Sequence, residues 1–348
     1  MKPALASGER VLVRAPSWLG DLVMAEPALR ELDGRFGERL SIAGPARLLE
    51  LLDGRFAHAR RIPTPEGGDR PEAWRGHGAA ILLTGSFRSA WCAFRARIPV
   101  RAGWARDGRG WLLTHAPRPA REAGGTPLGL GRPGRWPRIV PRPFGASCAE
   151  LLGTLGIHVH DARPRLAPSQ GTLEAARSRL ASFGIDAGEP FVVVNVGARP
   201  GSAKGYPAEL WAALLERMHE RRGPPSVLVC GPGEEHAIAA TLSALRLAKP
   251  HAWTKPPPTL HELLAMISLA SRLLTADTGP RHLAVAAGTP VTIACGPTDP
   301  RHTADHLERT LIVRTTVPCG PCHLEHCPLP PAIHHRCMRS LNWATFES

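Results

Sequence analysis

Short runs of apolar residues alternate along the first half of this chain with segments whose apolar residues recur at helical spacing. The first pattern predicts strands and the second predicts helices. Strands are predicted at 9–14, 39–43, 57–62 and 79–84, and helices at 22–32, 46–52, 87–97 and 145–156. This alternation is typical of βα units around a parallel sheet.

A second series of the same kind begins after residue 170. The run Phe191-Val-Val-Val-Asn-Val196 is apolar almost throughout, which indicates a strand buried on both faces. Thr259 and Glu262 have the spacing of a capping box at the start of a helix. Between the two series, residues 161–170 contain Pro and Arg and are interpreted as an interdomain linker. The 348 residues also suit two domains better than one.

The predicted fold class is therefore α/β, with two doubly wound domains, 1–165 and 166–348, facing each other across a cleft. In such folds, ligands bind beyond the carboxyl ends of the strands. The segment 117–143 does not fit the pattern, because it holds seven prolines, six arginines and five glycines. It is predicted to be a long loop, either solvated or facing phosphates or lipid headgroups.

The charge balance indicates an acidic partner. The net charge is +13 and the pI is near 10.4, and arginine supplies most of the excess. Aromatic residues are sparse and are not interleaved with the basic ones in the sequence, which argues against a nucleic-acid-stacking platform. The sequence shows no signal peptide and no run of eighteen apolar residues, so a cytoplasmic location is expected.

The stretch from Thr275 to His282 reads as a strand end, a polar turn and the first turn of a helix. Pro280 suits that first turn, and Asp277 or Thr278 is a candidate N-cap. The backbone N–H groups of such a helix start can bind a phosphate, although a capped helix without a ligand explains the pattern equally well. Asp277 is expected to cap the helix or to bind a sugar hydroxyl, and His282 to reach a phosphate or to pack in the core.

Two further loops of the second series carry candidate ligands. The small residues of 197–205 allow a diphosphate to approach the backbone, and Lys204 adds a compact positive charge. Glu234 and Glu235 open the helix after the next strand. One of them is expected to stabilise the helix dipole, and the other to bind ribose hydroxyls.

In the first half, Asp21 follows the first strand. It is either the N-cap of the next helix or a base that accepts the proton of an acceptor hydroxyl. Ser86 and Arg88 follow the strand at 79–84 and are candidate ligands of an acidic acceptor.

The eight cysteines fall into two groups. Cys92, Cys148, Cys230 and Cys295 lie in apolar contexts that are typical of buried thiols. Cys319, Cys322, Cys327 and Cys337 cluster near the C-terminus, with four histidines between them. This cluster predicts a structural zinc or iron–sulfur site, and reduced, packed thiols are the alternative.

Several segments, in order along the chain, resemble the signatures of the family 9 glycosyltransferases, the ADP-heptose:lipopolysaccharide heptosyltransferases, and within them the heptosyltransferase II type. They are Pro16-Ser-Trp-Leu-Gly-Asp-Leu-Val-Met24, Ser86-Phe-Arg-Ser-Ala90 with Ile98-Pro-Val-Arg-Ala-Gly-Trp104, Gly201-Ser-Ala-Lys204, Asp277-Thr-Gly-Pro-Arg-His-Leu-Ala-Val-Ala-Ala287 and Gly296-Pro-Thr-Asp-Pro300. The chain departs from the family at Lys204-Gly-Tyr-Pro207, at Val196-Gly-Ala198 and at Phe144-Gly-Ala-Ser-Cys148, and these departures bear mostly on the acceptor.

The resemblance implies a GT-B fold, in which the N-terminal Rossmann-like domain binds the acceptor and the C-terminal one binds the nucleotide sugar. It assigns the general base to Asp21, the diphosphate-binding lysine to Lys204 and the ribose-binding acid to Glu234 or Glu235. The donor site would comprise Ser202, Lys204, Glu234, Glu235, Asp277, Thr278, Gly279, Pro280 and His282, and the acceptor site Ser17, Trp18, Ser86 and Arg88.

The implied reaction is the inverting transfer of L-glycero-D-manno-heptose from ADP-heptose to a heptose of the lipopolysaccharide inner core. No cofactor is expected for catalysis. The expected partners are a phosphorylated core acceptor and the anionic inner face of the inner membrane, to which the protein would bind peripherally. The alternatives are a related transferase with another nucleotide sugar or glycan acceptor and, from a different class, a metal-stabilised nucleic-acid-binding protein.

Overall fold

The computed structural model describes residues 8–122 and 138–343 and divides them into two compact units. The first unit comprises 8–122, 138–165 and 301–305, and the second comprises 166–300 and 306–343. The chain thus leaves the first unit after residue 165 and returns to it for five residues. The domain limits 1–165 and 166–348 remain a prediction.

The first unit is built on a five-stranded parallel sheet with the strand order β3-β2-β1-β4-β5. The strands of this unit are β1 (Val11–Arg14), β2 (Leu40–Gly44), β3 (Arg60–Pro63), β4 (Ala79–Leu82), β5 (Val100–Ala102), β6 (Arg121–Glu122) and β7 (Arg138–Ile139). Its helices are α1 (Leu19–Phe36), α2 (Ala46–Glu50), α3 (Pro71–Trp74), α4 (Phe87–Arg95) and α5 (Phe144–Gly153). Strands β1, β2 and β4 are buried along their whole length, as expected where helices cover both faces of a parallel sheet.

Helix α1 is longer than the sequence predicted. It begins at Leu19 rather than at residue 22 and continues to Phe36, with Pro27 inside it. The N-cap residue is Trp18, so the interpretation of Asp21 as the N-cap is wrong. Asp21 lies in the first helical turn, where its charge suits the positive end of the helix dipole.

The predicted loop at 117–143 is described only at its two ends. Strands β6 and β7 pair antiparallel there, with Arg121 opposite Ile139. Residues 123–137 lie outside the described residues, so the loop prediction for them is untested.

The second unit is built on a six-stranded parallel sheet with the strand order β10-β9-β8-β11-β12-β13. The strands are β8 (Val192–Asn195), β9 (Ser226–Val229), β10 (His251–Ala252), β11 (Arg272–Ala276), β12 (Val291–Cys295) and β13 (Thr310–Arg314). The helices are α6 (Gln170–Ser182), α7 (Ala208–Glu220), α8 (Glu235–Ser243), α9 (Leu260–Leu269), α10 (Gly279–Ala287) and α11 (Arg336–Arg339). The predicted capping box is confirmed, because Thr259 and Glu262 exchange both hydrogen bonds at the start of α9.

Aromatic side chains close the core of the second unit on the side of α7. Tyr206 packs against Trp211 and Trp343 with ring centroids 4.9 and 5.3 Å away, and Trp343 Nε1 donates to its hydroxyl. Trp343 is thereby anchored to helix α7 and to Tyr206 just before that helix. Within 8–122 and 138–343, the structure contains no helix long and apolar enough to cross a membrane.

Candidate functional site

Each parallel sheet reverses its strand order at one point, between β1 and β4 in the first unit and between β8 and β11 in the second. Loops that leave such a switch point in opposite directions open a crevice at the carboxyl edge of the sheet, where doubly wound folds bind ligands. Most of the predicted donor and acceptor residues follow these four strands, either in the loop or in the first turns of the next helix, and Glu234 and Glu235 follow β9. We describe the two units in turn.

In the second unit, Asn195 joins the two strands of the switch point. It is buried at the end of β8, and its side-chain amide donates to Thr275 Oγ1 at 3.1 Å and to Thr278 Oγ1 at 3.4 Å. These bonds fix the turn after β11 relative to β8. The turn therefore has a fixed position before any ligand binds.

Asp277 does not cap helix α10. Its Oδ1 accepts from Arg281 Nη1 at 3.1 Å, and its Oδ2 accepts from the Thr298 hydroxyl at 2.5 Å. Burial acts to raise the pKa of Asp277, but the charges of Arg281 and Lys204 and the bond from Thr298 outweigh it and leave that pKa lowered. Asp277 is a buried carboxylate that fastens α10 to the loop after β12.

The N-cap residue of α10 is Thr278, whose hydroxyl lies 3.3 Å from Thr275 Oγ1 and 3.4 Å from Ala276 O. Gly279 and Pro280 form the first turn, and Pro280 occupies the early helical position predicted for it. Since the nearby carboxylate pairs with Arg281, the positive end of the helix dipole remains available to an anion.

His282 is buried in the first turn of α10. Burial, with the charge of Arg281 beside it, lowers the pKa of this histidine to about 3. The imidazole is therefore neutral at physiological pH and can offer a phosphate one N–H donor but no positive charge.

Lys204 supplies that positive charge. It is half-buried at the end of the loop after β8, and its ammonium group lies close enough to lower the pKa values of both Asp277 and His282. The loop turns back on itself, because the Lys204 N–H donates to Ser202 Oγ at 3.2 Å. The structure thus brings the predicted lysine and the helix start of α10 together.

The C-terminal segment between Cys319 and Cys337 supports this loop. The Ala203 N–H donates to Glu325 O at 2.7 Å, and His326 Nδ1 lies 2.8 Å from Gly201 O. The same segment holds the loop after β12, because the His323 N–H donates to Pro297 O at 2.9 Å. One short stretch of chain therefore fixes two of the loops at the sheet edge.

The two candidate ribose ligands, Glu234 and Glu235, point to different places. Glu234 is the N-cap residue of α8, and its Oε2 accepts from the Gly231 N–H at 3.0 Å. Its carboxylate lies over Gly197, where an added Cβ would be 2.3 Å from Oε2. Glu235 accepts instead from the Gly233 N–H at 3.2 Å, in the first turn of the helix. Glu234 is the acid at the edge of β8.

The four C-terminal cysteines lie near one another. Burial, and then the proximity of the other three thiol groups, raises the pKa of Cys337 to about 11. Within the described part of the chain, however, no three cysteine, histidine or acidic side chains are arranged to hold a metal ion. The predicted metal site therefore remains a prediction. The prediction of four separate buried thiols is confirmed for Cys92, Cys148, Cys230 and Cys295.

In the first unit, Ser17, Trp18 and Asp21 follow β1. Ser17 is exposed and accepts from Arg14 Nη2 at 3.2 Å, and the Trp18 side chain is also exposed. The charge of Asp21 acts on the Cys148 thiol in α5, whose pKa is raised mainly by burial and further by this carboxylate. Asp21 therefore lies at the carboxyl edge of β1 and near α5.

Ser86 and Arg88 begin the helix after β4. Ser86 is the N-cap residue of α4 and accepts from the Ser89 N–H at 3.4 Å. Arg88 is exposed, and its guanidinium lies against Gly68, where an added Cβ would be 2.8 Å from Cζ. The buried Arg109 holds this turn, because its Nη1 donates to Ser86 O at 2.9 Å.

A buried ion pair connects these two groups of residues. Arg14 Nε donates to both oxygens of Asp69, at 2.8 and 3.0 Å, and the Ser89 hydroxyl donates to Asp69 Oδ2 at 2.9 Å. A chain of hydrogen bonds thus runs from Ser17 through Arg14 and Asp69 to the first turn of α4. One set of hydrogen bonds therefore holds both the loop after β1 and the first turn of α4.

The sequence analysis missed the residues that support both sites. In the second unit these are Asn195, Thr275, Arg281 and Thr298, and in the first unit Arg14, Asp69, Ser89 and Arg109. An arginine at the end of an otherwise apolar strand was a visible signal for Arg14, because a buried charge needs a partner. Its partner lies 55 residues away, beyond the reach of local patterns.

Comparison with known proteins agrees with this architecture. Residues 75–333 match the family described as Glycosyltransferase family 9 (heptosyltransferase). Lipopolysaccharide heptosyltransferase 2 of Salmonella typhimurium is 26% identical over 323 residues, which cover 88% of each chain. The structure of E. coli ADP-heptose lps heptosyltransferase II has a TM-score of 0.67 at 23% identity, over 88% of this chain and 91% of that one. The glycosyl transferase family 9 structure from Veillonella parvula has a TM-score of 0.71 at 19% identity, over 90% and 87%.

Two doubly wound parallel sheets and these structural neighbours define an α/β fold of the GT-B class. The family match extends over well more than half of the sequence. The chain belongs to glycosyltransferase family 9, the heptosyltransferases.

Proposed function

We propose that this enzyme transfers L-glycero-D-manno-heptose from ADP-heptose to a heptose of the lipopolysaccharide inner core, with inversion at the anomeric carbon. The observation that carries the proposal is the convergence of Lys204, the start of α10 and Glu234 at one switch point. Two similar proteins support the substrates, since one is named a lipopolysaccharide heptosyltransferase and the other an ADP-heptose heptosyltransferase.

The donor would bind at the switch point of the second unit. Its diphosphate would lie at the start of α10, against the N–H groups near Gly279, with Thr278 and Ser202 offering hydroxyls. Lys204 would neutralise part of its charge, and neutral His282 would donate one hydrogen bond. Glu234 has the position to accept the ribose hydroxyls, and Glu235 would remain at the helix dipole. Asp277 would support the site through Arg281 without touching the diphosphate.

The acceptor would bind at the switch point of the first unit. Ser17, Trp18 and Ser86 offer hydrogen bonds and a ring face to a sugar, and Arg88 offers a guanidinium to its phosphate. Because the phosphorylated core is built on a lipid, this proposal also expects the enzyme to work at the inner face of the inner membrane.

The proposed transfer is a single displacement. The acceptor oxygen bonds to the anomeric carbon of the heptose as its proton passes to the Asp21 carboxylate. The bond from that carbon to the diphosphate oxygen breaks, and its electron pair leaves with ADP. Lys204 and the N-terminus of α10 stabilise the charge that develops on the diphosphate, as fixed dipoles and cations do in other transferases.

The decisive experiment is Asp21→Asn. We expect turnover, measured as ADP release from ADP-heptose with core acceptor, to fall about 10²–10⁴-fold because a general base is lost. ADP-heptose binding measured by calorimetry should stay unchanged. Asp53→Asn is the matched control, since Asp53 is an exposed acid of the same unit, 3.9 Å from Arg61. Normal turnover by the Asp21 variant would reject the assigned base.

The same assay tests the substrates. Saturable, acceptor-dependent turnover with ADP-heptose supports the proposal. Turnover with a different nucleotide sugar, or with a glycan other than the inner core, would establish instead a related family 9 transferase.

A further inference from the structure

An exposed aromatic cluster covers the outer face of helix α4. Phe87, Trp91 and Phe94 stand one helical turn apart, and Trp111 of a neighbouring 3-10 turn packs onto them with ring centroids 6.1–6.5 Å away. We call these four residues the aromatic face. Their exposed fractions are 45%, 39%, 41% and 64%, although the whole chain has only 5% aromatic residues. A contiguous exposed apolar patch of this kind marks an interaction surface.

Arginines border the aromatic face. Arg95 lies over the Trp91 ring, with Cζ 5.8 Å from its centroid, and Arg101 lies over Phe94 at 5.7 Å. The sequence from Phe87 to Arg101 contains four arginines and no carboxylate. The expectation that aromatic residues are not interleaved with basic ones is therefore wrong for this surface, because Arg88 and Arg95 lie among the rings of α4 itself and folding adds only Trp111 to those rings.

We propose that the aromatic face is the surface with which this enzyme binds an anionic lipid membrane. Tryptophan and phenylalanine partition into the headgroup region of a bilayer, where the ring is buried and polar groups remain hydrated. Arg95 can extend to a lipid phosphate, whereas the Arg101 guanidinium donates to Leu112 O and Ile98 O and adds only its positive charge beside Phe94. The aromatic face thus combines rings that can enter the headgroup region with positive charge that attracts an anionic leaflet.

The choice of a lipid surface rests on the proposed function, because the acceptor is then carried by a lipid. The residues assigned to the acceptor, Ser86 and Arg88, begin the same helix whose outer side carries the aromatic face. Docking of α4 on the membrane would therefore place the acceptor residues at a fixed height above the bilayer.

Other occupants fit the surface less well. In a symmetric pair of chains the same patch meets itself, so the arginines of two copies would face each other with like charge. Single-stranded nucleic acid needs free ring faces for its bases, but Trp111 packs edge-on to Trp91 and Phe94 at 64° and 66°.

The test measures cosedimentation of the full chain with vesicles of pure phosphatidylcholine and of phosphatidylcholine with phosphatidylglycerol. We expect binding to the second kind, weakened about fivefold by Arg95→Gln, which removes about 1 kcal/mol of attraction. Trp91→Gln combined with Trp111→Gln should abolish measurable binding. Leu247→Gln and Arg177→Gln are matched controls, since both side chains are exposed in the second unit, and they should bind as the parent does.

Activity separates this inference from the proposed function. The Trp91→Gln/Trp111→Gln variant should transfer normally to a lipid-free acceptor and slowly to an acceptor embedded in vesicles. Parental vesicle binding by that variant would overturn the inference even if transfer is confirmed. The inference would also be overturned if that variant still bound vesicles but had lost self-association or oligonucleotide binding. Vesicle binding that depends on the aromatic face would stand even if the heptose substrates prove wrong.

Discussion

Replacing Asp277 by asparagine should remove the negative charge that pairs with the buried Arg281 guanidinium. The two side chains are 8% and 2% exposed, and Asp277 Oδ1 lies 3.1 Å from Arg281 Nη1. A guanidinium keeps its charge at any ordinary pH, so it cannot adapt by losing a proton. The substitution keeps the shape of the side chain, and the Thr298 hydroxyl can still donate to the amide oxygen.

The magnitude follows from this burial. Breaking a buried ion pair by removing one partner costs about 3–5 kcal/mol, because the remaining charge is desolvated without attraction. Since asparagine keeps a hydrogen-bond acceptor, we expect the lower end, about 3 kcal/mol. For a unit of this size, each kcal/mol lowers the melting temperature by about 2–4 °C, so the expected decrease is about 6–12 °C.

Urea unfolding followed by tryptophan fluorescence measures the free energy of unfolding of each variant. The double variant Asp277→Asn/Arg281→Met removes both charges and should recover most of the loss, because no buried charge remains. Glu209→Gln is the control, since it breaks a half-exposed pair with Arg339 and should cost less than about 1 kcal/mol. A loss below about 1 kcal/mol for Asp277→Asn, or a double variant no more stable than the single one, would refute the assigned pairing.

Three further predictions concern the same unit. The pKa of His282 is lowered to about 3 from an ordinary 6.5, so between these pH values the unfolded chain binds a proton that the folded chain does not. The free energy of unfolding should therefore fall as the pH is lowered below 6.5. His282→Gln should make the free energy of unfolding less dependent on pH in this range. Gly197→Ala should weaken ADP binding about tenfold or more in calorimetry, because the new Cβ would lie 2.3 Å from Glu234 Oε2 and 3.0 Å from the Cys230 backbone; unchanged affinity would remove Glu234 from the ribose site. Metal analysis after anaerobic, chelator-free purification should find zinc or iron bound if the C-terminal cysteines are ligands, and a metal-free protein would establish reduced thiols.

The apolar pattern predicted much of the fold because buried parallel strands are nearly continuous apolar runs. β8 and β11 were visible in this way, and the polar turns after them followed from the strand ends. The start of α1 was missed because Trp18 and Gly20 lack the features of a capped helix. Such an end is decided by packing rather than by local propensity.

The sequence predicted the charged residues of the site that reach solvent, but it did not predict the buried residues that position them. Lys204 stands out in sequence because it is one of only four lysines in an arginine-rich chain. The sequence left Glu234 and Glu235 equivalent, and only the contact of Glu234 with Gly197 separates them. The residues that hold these ligands in place do not stand out. Asn195 and Thr275 are 80 residues apart and form a hydrogen bond only because β8 and β11 are neighbours in the sheet. The aromatic face was missed for the same reason, because Trp111 reaches α4 only through the fold.

The bonds from the C-terminal segment to two loops bear on how this enzyme can be engineered. A chain shortened before residue 319 would lose the backbone partners of the loops at Ala203 and Pro297, and the core of the second unit would lose Met338 and Trp343. Loosened loops must be ordered anew each time the proposed donor binds, so the affinity for that donor would decline. Substitutions between Cys319 and Cys337 are therefore a means to tune the proposed donor site without changing its own residues.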